Sequence, residues 1–189
     1  MHRHQISPFI LPPALPSDAV ECLDARGRPL LVTTRKTAPQ TGLMWRLVGA
    51  SLLVNGNRRK ETRVVLRRAQ AEEALFAGLW ELPVLGPLCA GEAPLDAARR
   101  LFAVFGVETP RLRLFATYPP EVLKSVFPPS RFGRVSLTLF HGGPVQPYLS
   151  TGQDMLLDAD ELSGLVRTLP ESVSPVARFM FEQGGLGPF

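Results

Sequence analysis

Residues 79–107 read LWELPVLGPLCAGEAPLDAARRLFAVFGV, a loop followed by a strongly periodic segment. Apolar side chains recur in this segment at helical spacing, at Leu95, Ala98, Phe102 and Phe105. Pro94 falls in the first turn, where its missing N–H is not needed, and Gly106 follows as a stop signal. The pattern predicts a helix over Ala93–Phe105 that buries its apolar stripe. Another side of this helix carries Ala97, Arg100 and Val104.

Short apolar runs separated by turn residues predict strands before this helix. Asp18–Leu23 and Pro29–Thr33 flank the turn composition of Asp24–Arg28, which predicts a hairpin. Trp45–Val54 and Thr62–Leu66 form the clearest hairpin, because Asn55-Gly56-Asn57 readily adopts positive φ. Ala69–Gly78 is expected to be a loop or a short turn of helix.

The C-terminal half continues the alternation of strands and helices. Arg111–Tyr118 and Arg134–His141 are predicted strands, joined by the Pro-rich loop Pro119–Arg131. Asp158–Leu169 and Ser174–Gln183 are predicted helices, and each opens with a residue suited to an N-cap. The acidic residues of this region are interpreted as capping and solvated groups; they are Asp154, Asp158, Asp160 and Glu161. The chain as a whole is predicted to be an α/β protein, a sheet with helices packed on it.

The composition narrows the class of protein. The chain has 189 residues, 45% of them hydrophobic, and no run approaches the roughly 18 apolar residues of a membrane span. We expect a Pro-rich N-terminal arm over residues 1–17, a single domain over 18–189, and a cytoplasmic, bacterial protein with no membrane partner. The thiols of Cys22 and Cys89 lack metal-ligand spacing and are interpreted as small core residues. His2, His4 and His141 also lack ligand spacing.

The net charge of +4 raises the question of a nucleic-acid partner. The largest basic clusters are Arg58-Arg59-Lys60 and Arg67-Arg68. They lie at a predicted turn and at a predicted strand end, where a solvated edge also favours charge. We therefore prefer solvated edges to a nucleic-acid footprint for these two clusters.

Residues 79–107 resemble the Nudix box, a loop–helix–loop that starts at a glycine and reaches a glutamate six residues later. Gly86 and Glu92 have this separation, and Ala97-Ala98-Arg99-Arg100 matches the first helical turns. The order of hairpin, Arg35, residues 42–46, strand and box is similar to the isopentenyl-diphosphate-isomerase-like branch of Nudix hydrolases. The resemblance implies a Nudix-type α/β/α sandwich with a central mixed sheet over residues 18–185. It also implies that the side of the helix with Ala97, Arg100 and Val104 faces the family's active-site cleft.

The helix departs from the family where the chemistry depends on it. The family's helix glutamates hold a divalent metal against a diphosphate, since Mg²⁺ prefers oxygen ligands. Aligned from Glu92, the glutamate positions hold Leu101, Val104 and Phe105; aligned backwards from Gly106, they hold Arg100, Ala103 and Val104. The sequence between Asp96 and Glu108 contains no Asp or Glu. Leu85 also replaces a glycine of the family pattern, and Trp45 replaces a histidine.

The resemblance therefore implies a relative of hydrolases of nucleoside diphosphate derivatives that is catalytically impaired but still binds a nucleotide or another phosphorylated ligand. The ligand-binding candidates are Arg46, Arg67, Arg68, Trp80, Gly86 and Arg100. Glu92 is the residual catalytic candidate, although a carboxylate near a helix N-terminus is also favoured without any metal. No metal ligand is assigned, and Mg²⁺ is expected only if the protein is active.

Two alternatives remain open from the sequence. One is an active metal-dependent hydrolase whose carboxylates come from elsewhere, for example Glu81, Glu92 or Glu121. The other is a nucleic-acid-binding module similar to the C-terminal domain of MutY-type adenine glycosylases, which Val64–Pro83 resembles. A steep salt dependence of binding would distinguish the second alternative from a small-ligand site.

Overall fold

The computed structural model describes residues 18–55, 62–69, 75–105, 111–145 and 152–186. The strands are β1 (Ala19–Leu23), β2 (Pro29–Thr34), β3 (Met44–Asn55), β4 (Thr62–Arg68), β5 (Trp80–Glu81), β6 (Val84–Pro87), β7 (Leu112–Tyr118), β8 (Arg134–Val145) and β9 (Asp154–Leu157). The helices are α1 (Pro94–Phe105), α2 (Pro129–Phe132), α3 (Ala159–Thr168) and α4 (Pro175–Glu182). None of them, within the described ranges, has both the length and the apolar content to cross a bilayer.

The sheet is organised around β3, a strand of 12 residues. One edge of β3 pairs in parallel with β8 along nearly its whole length. The other edge pairs antiparallel with β1, β6 and β4 in turn. β2, β5, β7 and β9 extend the sheet outward from these strands. The predicted α/β architecture with a central mixed sheet is confirmed.

Alternate residues of β3 face two separate apolar layers, because successive side chains of a strand point to opposite faces. On one face α1 covers the sheet, and this layer contains Val48, Ala50, Leu52, Ala97, Ala98 and Phe102. On the other face α3 and α4 cover it, and this layer contains Leu47, Leu53, Leu139, Leu162 and Met180. The sheet is therefore sandwiched between helices, as predicted.

The predicted helix is present as α1, and Ala98 and Phe102 are fully buried. Leu95 is only partly buried. The prediction that Ala97 faces a cleft is wrong, since Ala97 is also fully buried. Two consecutive alanines have side chains small enough to let α1 lie close to the sheet, so the buried stripe is wider than the sequence spacing indicates. Val104 and Phe105 belong to α1, but their side chains lie outside the described part of the structure, so their predicted positions are not tested.

Both predicted N-terminal hairpins are confirmed, although residues 56 and 57 of the second turn lie outside the described residues. The first turn is fixed by Asp24, whose Oδ1 accepts hydrogen bonds from the backbone N–H groups of Arg26 and Arg28 at 2.8 and 2.9 Å. The predicted strand pair in the C-terminal half is also confirmed, with β8 extending to Val145. Three short strands were not predicted; they are β5, β6 and β9.

Both predicted C-terminal helices have the predicted caps. Asp158 and Glu161 form a reciprocal capping box at α3, with both hydrogen bonds at 2.9 Å. The Ser174 hydroxyl accepts a hydrogen bond from the backbone N–H of Ala177 at 3.0 Å and caps α4. The capping interpretation of Asp158 is confirmed.

We expect Asp158→Ala to lower the free energy of unfolding by about 1 kcal/mol, because the backbone N–H of Glu161 in the first turn of α3 loses its side-chain acceptor. Urea denaturation followed by circular dichroism measures the change. Asp160→Ala is the matched control, since Asp160 is exposed in the same first turn. An equal loss in both variants would contradict a specific role of the capping box.

Candidate functional site

The loop that leads into α1 is fixed by the pair Glu92–Arg100. The Arg100 guanidinium donates to both Glu92 carboxylate oxygens, at 2.8 and 2.9 Å, and to the Pro87 carbonyl at 3.0 Å. Glu92 also accepts a hydrogen bond from the Cys89 backbone N–H at 3.0 Å. The Arg100 hydrogen bond holds the pKa of Glu92 below its ordinary value, despite partial burial. Arg100 therefore ties α1 to the loop, and Glu92 is already occupied by protein donors.

A second ion pair supports the same loop from the N-terminal hairpin. Glu21 of β1 pairs with Arg46 of β3, and its other carboxylate oxygen accepts a hydrogen bond from the Gly91 backbone N–H at 3.1 Å. Arg46 was predicted to bind ligand beside the box. The structure places Arg46 in this ion pair, and Arg46 is not among the described residues that line the cleft beside β4, β5 and β6.

Leu101, at the first glutamate position of the alignment from Glu92, covers Gly86. A Cβ placed on Gly86 would lie 2.8 Å from Leu101 Cδ2, so the leucine packs directly against the glycine backbone. In the alternative alignment the corresponding residue is Arg100, which Glu92 neutralises. Within the described residues, no group of three His, Cys, Asp or Glu could hold a metal ion. The residues of this helix and loop therefore do not fit a magnesium site, which needs several oxygen ligands.

A cleft of about 310 Å³ opens beside β4, β5 and β6, next to the box loop. Its described lining consists of Arg35, Leu47, Arg67, Arg68, Ala69, Leu75, Phe76, Glu81, Leu82, Pro83, Leu85, Gly86, Pro87 and Gln153. The structure thus brings together three of the predicted residues: Arg67, Arg68 and Gly86. Arg100 is not part of this lining. Arg35 does line the cleft. The sequence indicated Arg35 only through its place in the family's order of hairpin, arginine, strand and box.

Arg67 is held by a buried carboxylate on the neighbouring strand. Its Nε and Nη2 donate to the two oxygens of Asp154 at 2.7 and 3.2 Å, and the Asp154 side chain is 0% exposed. The register of β4 and β9 places these two residues opposite each other. The interpretation of Asp154 as a capping or solvated group is therefore wrong, because long-range strand pairing buries it.

Arg68 is the most accessible cation of this cleft. It is exposed, its Nε donates to the Gly78 carbonyl at 3.3 Å, and within the described residues no carboxylate pairs with it. Its guanidinium carbon lies 5.9 Å from the centroid of a Trp80 ring. Trp80 itself packs against the core and is not in the described lining. Arg68 can therefore meet an anionic ligand without breaking an ion pair.

Glu81 is a buried carboxyl group in the wall of the same cleft. Its Oε1 accepts hydrogen bonds from the Ser174 hydroxyl at 2.7 Å and from the Leu82 backbone N–H at 2.8 Å. Within the described residues, Oε2 has no partner. Burial raises the pKa of Glu81 to about 7, although the bonds from Ser174 and Leu82 oppose the shift. Glu81 is therefore largely protonated below neutral pH.

The three carboxylates of the relocated-site alternative form no metal-binding group among the described residues. Glu81 is buried against Ser174, and Glu92 is bound by Arg100. Glu121 is exposed, pairs with Arg134 at 3.3 Å, and lies outside the described lining of the cleft.

His141 and the two cysteines have ordinary structural surroundings. His141 Nδ1 lies 3.3 Å from the Ser51 hydroxyl, and its ring contacts Phe115 edge-on. Burial, and secondarily the charge of Arg113, lower the pKa of His141. Cys22 is buried and Cys89 is partly buried, and the two do not form a disulfide with each other.

Three solved structures share this arrangement of strands and helices. DR0079 from Deinococcus radiodurans is 16% identical over 87% of this chain and 98% of its own, with a TM-score of 0.60. The NUDIX domain of Shewanella oneidensis NrtR, complexed with ADP ribose, is 16% identical over 75% and 86%, with a TM-score of 0.51. A mutT/nudix family protein from Listeria innocua is 12% identical over 74% and 90%, with a TM-score of 0.52. The chain has the Nudix fold. No protein-family model and no curated protein matches its sequence.

Proposed function

We propose that the protein binds a phosphorylated small molecule, a nucleotide or a nucleoside diphosphate derivative, in the cleft beside β4 and β6, without a metal and without hydrolysing it. One observation carries the proposal. Arg100 neutralises Glu92 and Leu101 covers Gly86 at the place where hydrolysis would need a cluster of metal-binding carboxylates. This arrangement supports binding without metal-dependent hydrolysis, and the cleft beside β4 and β6 offers the space for a ligand.

The charges of the cleft support an anionic ligand. Its described lining contains the three cations Arg35, Arg67 and Arg68. Its one acidic residue, Glu81, is largely protonated below neutral pH. Guanidinium groups offer fixed N–H donors that match phosphate oxygens, and they keep their charge at every physiological pH. The side chain of Arg68 is the group we expect to contact phosphate first.

The rest of the lining supports a ligand with an apolar body. Leucine and proline side chains, together with the ring of Phe76, make up half of the described lining residues. A mainly apolar cleft with a few oriented polar groups is typical of small-molecule sites. A nucleoside would place its base or sugar against this wall and its phosphates toward Arg68. ADP-ribose is the first ligand to test, because the NUDIX domain of NrtR was crystallised with it.

ADP-ribose is expected to raise the melting temperature of the protein in excess chelator, in a concentration-dependent way. At a hundredfold excess over Kd the stabilisation amounts to about 2.7 kcal/mol. Arg68→Ala should weaken binding by roughly tenfold or more, since a hydrogen bond to a charged group is lost. Isothermal titration calorimetry measures the affinities.

The matched control is Arg167→Ala, which removes one exposed arginine from the last turn of α3. It should leave the affinity unchanged. The proposal fails if ADP-ribose, ADP, AMP and isopentenyl diphosphate all leave the melting temperature unchanged in chelator. Binding that appears only when Mg²⁺ is added would contradict the proposal that the ligand binds without a metal.

A further inference from the structure

Glu81 shares the cleft beside β4 and β6 with the cations that we expect to bind phosphate. It is the one carboxyl group of the described lining, whose other charged residues are Arg35, Arg67 and Arg68. Glu81 lies on β5, and the strand register places it opposite Arg67 of β4. Directly opposite residues of an antiparallel pair lie on the same face of the sheet. The charge of Glu81 therefore acts on the same space as the charge of Arg67.

The carboxyl group of Glu81 is fixed in the wall of this cleft. Its side chain is buried, and Oε1 accepts hydrogen bonds from the Ser174 hydroxyl at 2.7 Å and from the Leu82 backbone N–H at 2.8 Å. The same Ser174 hydroxyl caps α4. Glu81 therefore cannot turn into water without breaking both bonds. Salt and water screen a buried charge much less than a surface charge, so an ionised Glu81 would act strongly on an occupant of the cleft.

The charged groups on the neighbouring elements keep a constant charge or are already paired. Besides Arg35 in the lining, these groups are Arg67 and Arg68 on β4, Asp154 on β9, and Arg178 and Glu182 on α4. Arginine stays charged at every physiological pH. Arg67 and Asp154 hold each other at 2.7 Å, and Glu182 is exposed at the far end of α4. Burial raises the pKa of Glu81 to about 7. The charge of Glu81 therefore changes near neutral pH, while the arginines around it keep theirs.

Building on the proposed function, we propose that the cleft takes up a proton onto Glu81 together with its anionic ligand, so that ionisation of Glu81 weakens binding. A negative charge in the cleft disfavours the ionised form of a nearby carboxyl group, because like charges repel. By reciprocity, an ionised Glu81 lowers the affinity for the anion by the same factor. The proton comes from the solvent and stays on the carboxyl group while the ligand is bound. The ligand is therefore held most tightly below neutral pH and is released as pH rises.

The test is isothermal titration calorimetry with ADP-ribose in chelator, at half-unit steps from pH 6 to 8. The diphosphate of ADP-ribose links two riboses and keeps a constant charge in this range, unlike a phosphate monoester, whose second pKa is about 6. With a pKa of about 7, Glu81 is protonated in roughly nine-tenths of the free molecules at pH 6 and in roughly one-tenth at pH 8. The affinity of the wild type should therefore fall by roughly tenfold across this range.

Glu81→Gln should keep the affinity that the wild type has at pH 6 throughout this range, because glutamine is neutral and retains the oxygen that accepts from Ser174 and Leu82. The matched control Glu182→Gln removes an exposed carboxylate from α4 and should keep the wild-type pH dependence. Circular dichroism verifies that both variants are folded. A pH dependence in Glu81→Gln equal to that of the wild type would assign the proton to another group and overturn the role of Glu81.

The proton can also be counted in the wild type without any variant. Titrations at pH 7 in buffers of different ionisation enthalpy should show uptake of about half a proton per ligand, since about half of the free molecules already hold it. ADP-ribose binding with no proton uptake and less than a twofold change from pH 6 to 8 would overturn this proposal and leave the proposed function standing. No binding at any pH would overturn both.

Discussion

Glu81→Gln is expected to remove a pH dependence of stability on the order of 3 kcal/mol, because the pKa of Glu81 rises from 4.5 to about 7 on folding. The Glu81 side chain is buried, and its Oε2 has no partner within the described residues. Ionising it therefore places a negative charge where water does not reach. Glutamine has nearly the same shape and does not titrate.

The sign of this pH dependence follows from the number of protons that the folded and unfolded states bind. Between pH 4.5 and 7 the folded protein holds a proton on Glu81 that the unfolded chain has released. The free energy of unfolding must therefore decrease as pH rises through this window. The contribution of protonated Glu81 to the free energy of unfolding is fully present below pH 4.5 and is largely lost above pH 7.

His141 acts in the opposite direction in part of the same range. Its pKa is lowered in the folded protein, mainly by burial, so the unfolded chain binds more protons and stability falls as pH decreases below 6.5. The informative quantity is therefore the difference between wild type and Glu81→Gln, in which His141 cancels. Urea denaturation at half-unit steps from pH 4.5 to 8 measures this difference.

The control is Glu182→Gln, at the exposed end of α4, which should retain the full pH dependence of the wild type. Parallel stability curves for wild type and Glu81→Gln over this range would contradict a buried, protonated Glu81.

The main strands and helices were predictable because each carries its signal locally. The helix α1 has an apolar period, Pro94 near its start and Gly106 after it, and α3 and α4 open with Asp158 and Ser174. β5, β6 and β9 were missed because strands of two and four residues are too short to show a period. Their positions depend on pairing with β3 and β4, which a local pattern does not contain.

The candidate site was predictable only where its geometry is local. Glu92 and Arg100 lie eight residues apart across one loop and one helical turn, and their proximity follows from the box pattern. The partners of the other arginines are distant in sequence. Arg46 meets Glu21 across 25 residues, and Arg67 meets Asp154 across 87. Strand order and register decide such pairs. The family resemblance therefore placed Arg46 beside a ligand, and residue type and local context placed Asp154 in solvent.

Magnesium-dependent hydrolysis of nucleoside diphosphate derivatives is expected to be undetectable in this protein. A metal ion contributes several kcal/mol to stabilising the transition state of phosphoryl transfer, and each 1.4 kcal/mol or so is about tenfold in rate. Leu101 offers carbon where an oxygen ligand is required, and it packs on Gly86. The remaining carboxylate, Glu92, already accepts hydrogen bonds from Arg100 and from the Cys89 backbone.

The measurement is release of phosphate and nucleoside monophosphate from ADP-ribose, nucleoside diphosphates and dinucleoside polyphosphates, with Mg²⁺ and with Mn²⁺. Typical enzymes turn over at about 1–10³ s⁻¹, and losing several kcal/mol of transition-state stabilisation lowers the rate by roughly a thousandfold or more. A parallel assay in chelator sets the background, and we expect the rates with and without metal to coincide.

Turnover in the ordinary enzymatic range that chelator abolishes would contradict the prediction and establish relocated carboxylates. Glu81→Gln, Glu92→Gln and Glu121→Gln would then identify the ligands, because removing a metal ligand should abolish the rate. Glu121→Gln is the most informative of the three, since Glu121 is exposed and pairs only with Arg134 among the described residues. If activity survives in all three variants, it does not come from these carboxylates, and a metal site in this chain would have to be built from other groups.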